Sequence, residues 1–215
     1  ENVVGSGFQT IVVATGARWT TDILSVSGYP IKGLVAENIF TPDQVLCGAD
    51  LVEPVLIYDF DHYYMGGCLA ELLRANHKDV TIITPANAVS AWTSMTNESA
   101  RIRERMIDLE VKVLLEHYVT GIEGDQVQVK SIYNDSFTEA VEVGSLVVVG
   151  FRQSQDSLFK ELEANRGELQ CDIRSIGDCV APGAIVHAIY SGYEYGRNFG
   201  IDDSENRWMI ERPTI

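Results

Sequence analysis

Residues 55–73 read VLIYDFDHYYMGGCLAELL, and the order of apolar and polar residues in this stretch decides the fold. Its first four residues form a short apolar run of the kind that becomes a buried strand, and apolar residues at helical spacing follow it. A second apolar run, VTIIT at 80–84, comes next. Strand, helix and strand in this order predict a βαβ unit with a right-handed crossover. The predicted apolar face of the helix consists of Met65, Leu69, Leu72 and Leu73.

The turn between this strand and its helix lacks the glycines with which such a unit usually binds a dinucleotide. Asp59 and Asp61 stand in the first two glycine positions, and Gly66 or Gly67 reaches the third only if the turn is about two residues longer. A carboxylate ~4 Å from a phosphate opposes its binding by on the order of 4 kcal/mol. At the end of the second strand, Thr84 stands where an acidic residue would bind the ribose. We therefore expect a nucleotide-binding fold that no longer binds NAD(P), with an unusual mode of nucleotide binding as the alternative.

Two segments near the ends of the chain carry further strand-to-turn patterns. The run IVVA precedes Thr15 and Gly16, which predicts a buried strand that stops at a turn. Near the other end, the run IRSI precedes Gly177 and Asp178, which predicts a second strand of the same kind. Pro182–Gly183 then marks the start of a helix, where backbone N–H groups could face an anion, although packing alone explains the pair equally well.

Between these ends, the sequence predicts two helices and a small antiparallel meander. Thr41 marks the start of a short helix, and Thr96 or Asn97 caps a second helix that runs to about Glu110. Three segments with turn residues between them predict the meander: VKVLLEHYV, DQVQVKSIY and the stretch around 137–143. SLVVVG then predicts another buried strand.

Charge and composition exclude several classes of function. The 215 residues include 31 acidic and 16 basic side chains, a net charge of −15, which opposes binding to nucleic acid. The sequence contains no apolar run of the ~18 residues that would suggest a membrane span and no signal peptide pattern, so we expect a cytoplasmic protein without a membrane partner. The four cysteines form no C-x-x-C pair, and Asp59, Asp61 and His62 lack the further ligands of a coordination sphere, so we predict no metal site. No histidine has an inferable Ser or Cys partner, so we predict no catalytic residue.

Three segments of this chain resemble a family of flavoproteins. ATGARW at 14–19, YDFDHYYMGGCLAELL at 58–73 and TPANAVSAWTSMTNES at 84–99 are similar to the C-terminal region of the trimethylamine, dimethylamine and histamine dehydrogenases. More broadly, the chain resembles the disulfide-reductase-like flavoproteins, in which an FAD-type domain is interrupted by an NAD-type domain. The aspartates in the turn at Asp59 and Asp61 make the narrower resemblance specific, because most flavoprotein reductases keep glycine there.

This resemblance implies an α/β fold in which a Rossmann-like NAD-type domain, with a parallel sheet and an antiparallel meander, is inserted in a partial FAD-type domain. The implied divisions are a partial FAD/ADP-type domain and connector at 1–50, the NAD(P)-type domain with its degenerate glycine motif at 51–150, a return segment of the FAD/ADP-type domain at 151–200, and a tail at 201–215. The chain would then start midway through a domain.

The resemblance also implies a function that is structural and ADP-binding rather than catalytic in this chain itself. Thr15, Gly16, Gly177 and Asp178 match the strand-end turns that lie near the dinucleotide in such flavoproteins. The parent enzyme would hold FMN and a [4Fe–4S] cluster in an N-terminal barrel, oxidise an amine, and pass electrons to an electron-transfer flavoprotein. A homodimer is left open. For Asp178, the alternative role is to cap the helix that follows.

Two other interpretations remain at this point. The chain could be part of an NAD(P)H-dependent flavin reductase of the dienoyl-CoA reductase type, which shares the architecture. It could also be a freestanding interaction module without a cofactor. The turn at 59–67 distinguishes the first of these from the amine dehydrogenases, because a reductase needs to bind NADPH there.

Overall fold

The computed structural model describes four stretches of the chain, residues 7–22, 38–134, 136–169 and 171–201. These residues divide into two compact units. The larger unit is Trp19–Phe151, and the smaller unit combines the described residues up to Arg18 with those from Arg152 onward. The predicted tail at 201–215 lies outside the described residues except for its first position.

Strands and helices alternate along the described chain. The strands are β1 (Thr10–Val13), β2 (Ala17–Trp19), β3 (Ile39–Phe40), β4 (Val55–Asp59), β5 (Val80–Thr84), β6 (Lys112–Leu115), β7 (His117–Glu123), β8 (Gln126–Ser131), β9 (Thr138–Glu142), β10 (Ser145–Val149), β11 (Arg152–Ser154) and β12 (Asp172–Ser175). The helices are α1 (Pro42–Leu46), α2 (Tyr64–Ala75), α3 (Ser99–Asp108), α4 (Ser157–Ala164), α5 (Arg166–Leu169) and α6 (Ile185–Asn198). Across the described ranges, no helix combines the length and the apolar character that crossing a membrane requires.

Five parallel strands form the sheet of the larger unit, in the order β3-β10-β4-β5-β6. Every residue of β4 and β10 is buried, as expected for central strands of a parallel sheet that is covered on both faces. In the register of the sheet, Val55 pairs with Val80 on one side and with Ser145 on the other. The predicted α/β class with a parallel sheet is therefore confirmed.

The two faces of this sheet are covered by different elements. Ile57 of β4 packs with Leu69 of α2 in one hydrophobic cluster, whereas Leu56 packs with Val119 of β7 in another. The helices thus cover one face and the meander covers the other, because successive residues of a strand point to opposite sides. Asp59, two residues after Ile57, belongs to the face that the helices cover.

The antiparallel meander is shorter than the sequence predicts. Strands β7, β8 and β9 pair in that order, but the segment VKVLLEHYV is not one strand of it. Its first half is β6, which extends the parallel sheet by pairing with β5, and His117 begins β7. The break lies at Glu116, whose φ is 59°. A left-handed conformation at a non-glycine residue carries no sequence signal of the kind that glycine or proline gives, so the prediction of a single strand was wrong.

The starts of α1 and α3 show one correct and one wrong prediction. Thr41 caps α1 as expected: its hydroxyl accepts from the N–H of Gln44 at 3.3 Å, and the Gln44 side chain accepts from the N–H of Thr41 at 2.8 Å. Neither Thr96 nor Asn97 caps α3. Thr96 ends a 3₁₀ turn, and Glu98 is the N-cap residue of α3.

The smaller unit contains the two outer strand-to-turn segments. Strands β1 and β12 pair in parallel, and β2 pairs with β11. The acidic stretch at 152–172 contains β11, α4 and α5. Leu162 of α4 packs with Val13, Ile173 and Cys179, and this small core fixes β1 against β12.

Candidate functional site

The residues predicted to lie near a nucleotide are brought to one edge of the smaller unit. Val13 at the end of β1 pairs with Ser175 at the end of β12, so the two turns leave the same end of neighbouring parallel strands. Gly16 has a φ of +75° and Gly177 a φ of +67°, a conformation that side-chain-bearing residues rarely adopt. Among the described residues, no neighbouring atom lies within 4 Å of the position where a Cβ on Gly16 would stand.

Strand β11 joins these two turns to each other. The N–H of Gln155 donates to the carbonyl of Gly16 at 2.9 Å, and the hydroxyl of Thr15 donates to the carbonyl of Gln155. Ser154 donates from its hydroxyl to the carbonyl of Asp178 at 3.0 Å. The turn after β1 and the turn after β12 are therefore held in one hydrogen-bonded cluster.

Arg152, like Ser154 and Gln155, belongs to this cluster although the sequence did not single it out. Its Nη1 lies 3.3 Å from Oδ2 of Asp178, and its Nη2 donates to the carbonyl of Gly183 at 2.8 Å. In the sequence, Arg152 directly follows a buried strand and precedes an acidic stretch. Nothing in that pattern indicates a partner 26 positions away.

Asp178 accepts hydrogen bonds at both carboxylate oxygens. Its Oδ1 accepts from the N–H of Gly183 at 3.3 Å, and its Oδ2 faces Arg152. The expectation that Pro182–Gly183 presents free N–H groups to an anion was therefore wrong for Gly183. Helix α6 begins two residues later with Ala184 as its N-cap residue, and no side chain bonds there. Asp178 thus fastens the segment that leads into α6 rather than capping the helix itself.

The degenerate turn of the larger unit is filled from within by Asp59. This side chain is 0% exposed at the end of β4, and its Oδ1 accepts from the N–H of His62 at 3.1 Å. A Cβ on Gly66 would lie 2.6 Å from Cγ of Asp59. The glycine in the first turn of α2 therefore makes room for a carboxyl group beneath the helix.

Burial raises the pKa of Asp59 to about 7. The N–H of His62 stabilises the charged form and the Asp61 carboxylate opposes it, but removal from water dominates. Oδ2 of Asp59 has no hydrogen-bond partner within the described residues. The expected repulsion of a diphosphate by an outward-facing carboxylate is thus wrong for Asp59, because its side chain occupies the space under α2 and is partly protonated at neutral pH.

The side chain at the end of β5 likewise makes its contacts within the protein. Thr84 is 0% exposed; its hydroxyl accepts from the N–H of Ala86 at 3.2 Å and lies 3.3 Å from Nδ1 of His62. Burial lowers the pKa of His62. The rings of Phe60 and Trp92 flank His62, with centroids 5.5 and 6.4 Å away. This edge therefore presents aromatic rings and a buried hydroxyl where a ribose-binding carboxylate would stand.

The four described stretches bring no set of metal-ligating side chains together. They contain no group of three or more His, Cys, Asp or Glu side chains placed to hold a metal ion. Asp59 and His62 are instead joined through the backbone N–H of His62.

Comparison with known proteins identifies the family. Residues 40–147, half of the chain, match the model of the OYE-like second alpha/beta domain. The chain belongs to this family. The match includes the whole degenerate turn, strands β4, β5 and β6, and parts of β3 and β10.

The proteins that match nearly the whole chain have names of enzymes that act on amines. The chain is 29% identical over 238 residues to dimethylamine dehydrogenase of Hyphomicrobium sp. (strain x), covering 99% of the chain and 32% of the relative. The structure of histamine dehydrogenase from Rhizobium sp. 4-9 matches with a TM-score of 0.88 and 30% identity over 98% of this chain and 35% of that one. The 6-hydroxypseudooxynicotine amine oxidase of Pseudomonas geniculata N1 matches with a TM-score of 0.87 and 30% identity over 93% of this chain and 30% of that one. The resemblance to the amine dehydrogenases is confirmed, and the chain spans about a third of the length of these relatives.

Proposed function

We propose that this chain is the nucleotide-binding-fold region of an amine dehydrogenase. In this proposal the smaller unit is part of an FAD-type domain that holds ADP. The larger unit is a Rossmann-like NAD-type domain, inserted in the FAD-type domain, that packs within the parent enzyme and binds no NAD(P). The homology to amine dehydrogenases supports the oxidoreductase class.

The observation that carries this proposal is the difference between the two strand edges. In the smaller unit, the backbone at Gly16 is open toward the other described residues, and it follows a strand that pairs in parallel with the strand leading to Gly177; the ends of such strands are where α/β folds bind nucleotides. In the larger unit, Asp59 fills the corresponding turn. One edge thus has the shape to approach a phosphate closely, and the other does not.

The chemistry of the parent enzyme would lie outside this chain. FMN and a [4Fe–4S] cluster in a barrel would oxidise the amine, and an electron-transfer flavoprotein would accept the electrons. The parent enzyme would be located in the cytoplasm. Thr15, Gly16, Gly177 and Asp178 would contribute to nucleotide binding, and no side chain of this chain would touch the amine.

The test uses the full-length protein that contains this chain. Acid denaturation followed by chromatography identifies the released nucleotide, and calorimetry with NADH and NADPH measures binding to the intact protein. We expect about one equivalent of ADP per chain, because the proposal places one nucleotide site in the smaller unit, and no heat from either reduced dinucleotide. Tight NADPH binding would instead support a reductase of the dienoyl-CoA type, and a protein that releases no nucleotide and oxidises no amine would contradict the proposal.

A further inference from the structure

We propose that the turn after β4 and the first turn of α2 form a proton-sensitive switch, in which a protonated Asp59 keeps the two packed together and an ionised Asp59 releases them. Release would also free the contact that holds Trp92, a side chain that is 60% exposed at the same edge of the larger unit. The switch goes beyond the proposed function, since it belongs to the filled turn and needs no bound nucleotide.

The carboxyl group of Asp59 is enclosed in a space that suits its neutral form. Its Oδ1 accepts from the N–H of His62 at 3.1 Å, whereas Oδ2 has no hydrogen-bond partner within the described residues. Gly66 lies over this second oxygen, because a Cβ on Gly66 would stand 2.7 Å from Oδ2. An ionised carboxylate needs donors or water at both oxygens. Its charge is therefore unfavourable while α2 keeps this position.

The part of α2 that covers the carboxyl group is weakly held. Its N-cap residue, Tyr63, forms no side-chain hydrogen bond to the first turn, and Gly66 and Gly67 both stand in that turn, where glycine destabilises a helix. His62, just before the N-cap, has a φ of 59°, a conformation that is unfavourable for a residue with a side chain. This segment keeps its shape through its contacts rather than through its own backbone preferences.

A displaced first turn would suit the charged form of Asp59. The first N–H groups of a helix have no partners within the helix, and the positive end of the helix attracts a carboxylate. Once Gly66 moves away from Oδ2, water or these N–H groups can reach that oxygen. The open arrangement thus binds the proton of Asp59 less tightly than the closed one does, so ionisation favours opening.

Two contacts of His62 connect this turn to the surface. The carbonyl of His62 accepts from the N–H of Trp92 at 3.0 Å, and the two rings lie 6.4 Å apart. On the other side, Nδ1 of His62 lies 3.3 Å from the hydroxyl of Thr84. A turn that gives up the bond from His62 to Asp59 therefore loosens the segment that carries Trp92.

The other ionisable groups at Asp59 do not take over its role. Tyr58 and Asp61 act on Asp59 through their charge. Burial raises the pKa of Tyr58, so its phenol stays neutral in the range where Asp59 titrates, and the Asp61 carboxylate favours the neutral form of Asp59 by repulsion. His62 meets Asp59 with its backbone N–H, and burial lowers the pKa of its imidazole.

The elements packed around the turn contribute polar rather than charged groups. Strand β10 faces it with the carbonyl of Val149, which accepts from the N–H groups of Phe60 and Asp61. The first turn of α2 contains no acidic side chain, and the phenol of Tyr64 in that turn forms a hydrogen bond with Glu98. Asp59 is thus the group whose proton controls the closed arrangement.

The experiment is hydrogen exchange of the full-length protein from pH 5 to pH 8, followed by mass spectrometry and corrected for the intrinsic pH dependence of amide exchange. The amides of His62 and Trp92 should lose protection by up to about tenfold per pH unit as the pH rises to 7, and should level off above it, because only the open form releases the proton readily. Mild denaturant should hardly change this exchange, since a local opening exposes little surface. Exchange in β10 requires wider unfolding and should respond to denaturant.

Two variants identify the group that titrates. Asp59→Asn cannot ionise, so protection at His62 and Trp92 should no longer depend on pH. Asp61→Asn is the matched control: it removes a carboxylate from the same turn and should keep the pH dependence, shifted to lower pH because its repulsion of Asp59 is lost. A pH dependence that persists in Asp59→Asn, or exchange at Trp92 that is as sensitive to denaturant as β10 at every pH, would overturn the switch. Both measurements are independent of nucleotide binding, so their outcome does not decide the proposed function.

Discussion

The two units place strand-to-turn junctions at the ends of neighbouring parallel strands, yet one junction is open and the other is filled. At the open edge, no described neighbour of Gly16 lies within 4 Å of the position for a Cβ. At the filled edge, the same test at Gly66 finds the carboxyl group of Asp59 at 2.6 Å. A glycine thus serves the backbone conformation in one unit and the fit of an internal side chain in the other. In the proposed function, the larger unit keeps the fold while a buried side chain takes the place of a ligand.

The largest effect expected from this difference is on stability as a function of pH. Burial raises the pKa of Asp59 from 3.8 to about 7, so between these values the folded state binds more protons at Asp59 than the unfolded state does. Stability should therefore fall as the pH rises through this window, by at most ~4 kcal/mol in total. Denaturant midpoints measured from pH 4 to pH 8, with hydrogen exchange at the amides of β4 as the local signal, test this.

The matched variant for this prediction is Asp59→Asn, which resembles the protonated acid in shape and cannot ionise. It should be more stable than the unaltered protein at pH 8 and similar to it at pH 4. His62, whose pKa burial lowers, contributes in the opposite direction near its own pKa, and this contribution cancels in the difference between the two proteins. A difference that is constant across the pH range would show that Asp59 does not titrate in the folded state.

The next effect in size is overpacking at Gly66. Gly66→Ala places a methyl group against the Asp59 carboxyl, and because neither β4 nor α2 can move freely we expect a loss of about 1–3 kcal/mol. The measurement is the free energy of unfolding, again with hydrogen exchange at β4.

Two variants show whether this loss comes from the contact itself. Asp59→Ala combined with Gly66→Ala should be more stable than the sum of the single changes predicts, because the first change empties the space that the second needs. Gly167→Ala in α5, where the described part of the chain places no atom within 4 Å of the new Cβ, should be neutral or slightly stabilising. Strict additivity in the double variant would contradict the idea of a filled turn.

Much of the parallel sheet could be predicted from sequence because its strands are short apolar runs between turn residues. The direction of Asp59 was available as well: alternation places it on the side of Ile57, which is the side that α2 covers. Analogy with the glycines that Asp59 replaces instead predicts an outward-facing charge. Its raised pKa depends on burial, which the sequence pattern alone does not reveal.

Other features depend on contacts that no local pattern encodes. The break at Glu116 relies on a left-handed residue without glycine, and the cap of α3 at Glu98 was obscured by the better cap formers Thr96 and Asn97 beside it. The pairing of Arg152 with Asp178 joins two segments that are separated by α4, α5 and β12. The resemblance supplied the four predicted residues of the open edge, whereas only the tertiary structure places Arg152, Ser154 and Gln155 beside them.

A smaller effect is expected at the open edge. Gly16→Ala forces a side-chain-bearing residue into a φ of +75° and should lower the stability of the smaller unit by about 1 kcal/mol. Gly16→Asn should lower it less, because asparagine tolerates this conformation better. Unfolding of the full-length protein, followed by hydrogen exchange at β1, separates the two. If alanine and asparagine are equally tolerated, the backbone conformation of Gly16 is not what the turn requires.

The last prediction is that restoring glycine at the filled edge does not create NADH binding. Asp59→Gly with Asp61→Gly restores glycine at two positions of the fingerprint, but the Asp59 side chain lies beneath α2, so its removal leaves a cavity inside the unit rather than space at the surface. Thr84 would still lack the carboxylate that binds a ribose. Calorimetry with NADH should therefore show no binding to the double variant. Micromolar affinity would mean that the charge of the two aspartates, and not the way the turn is packed, keeps the dinucleotide out.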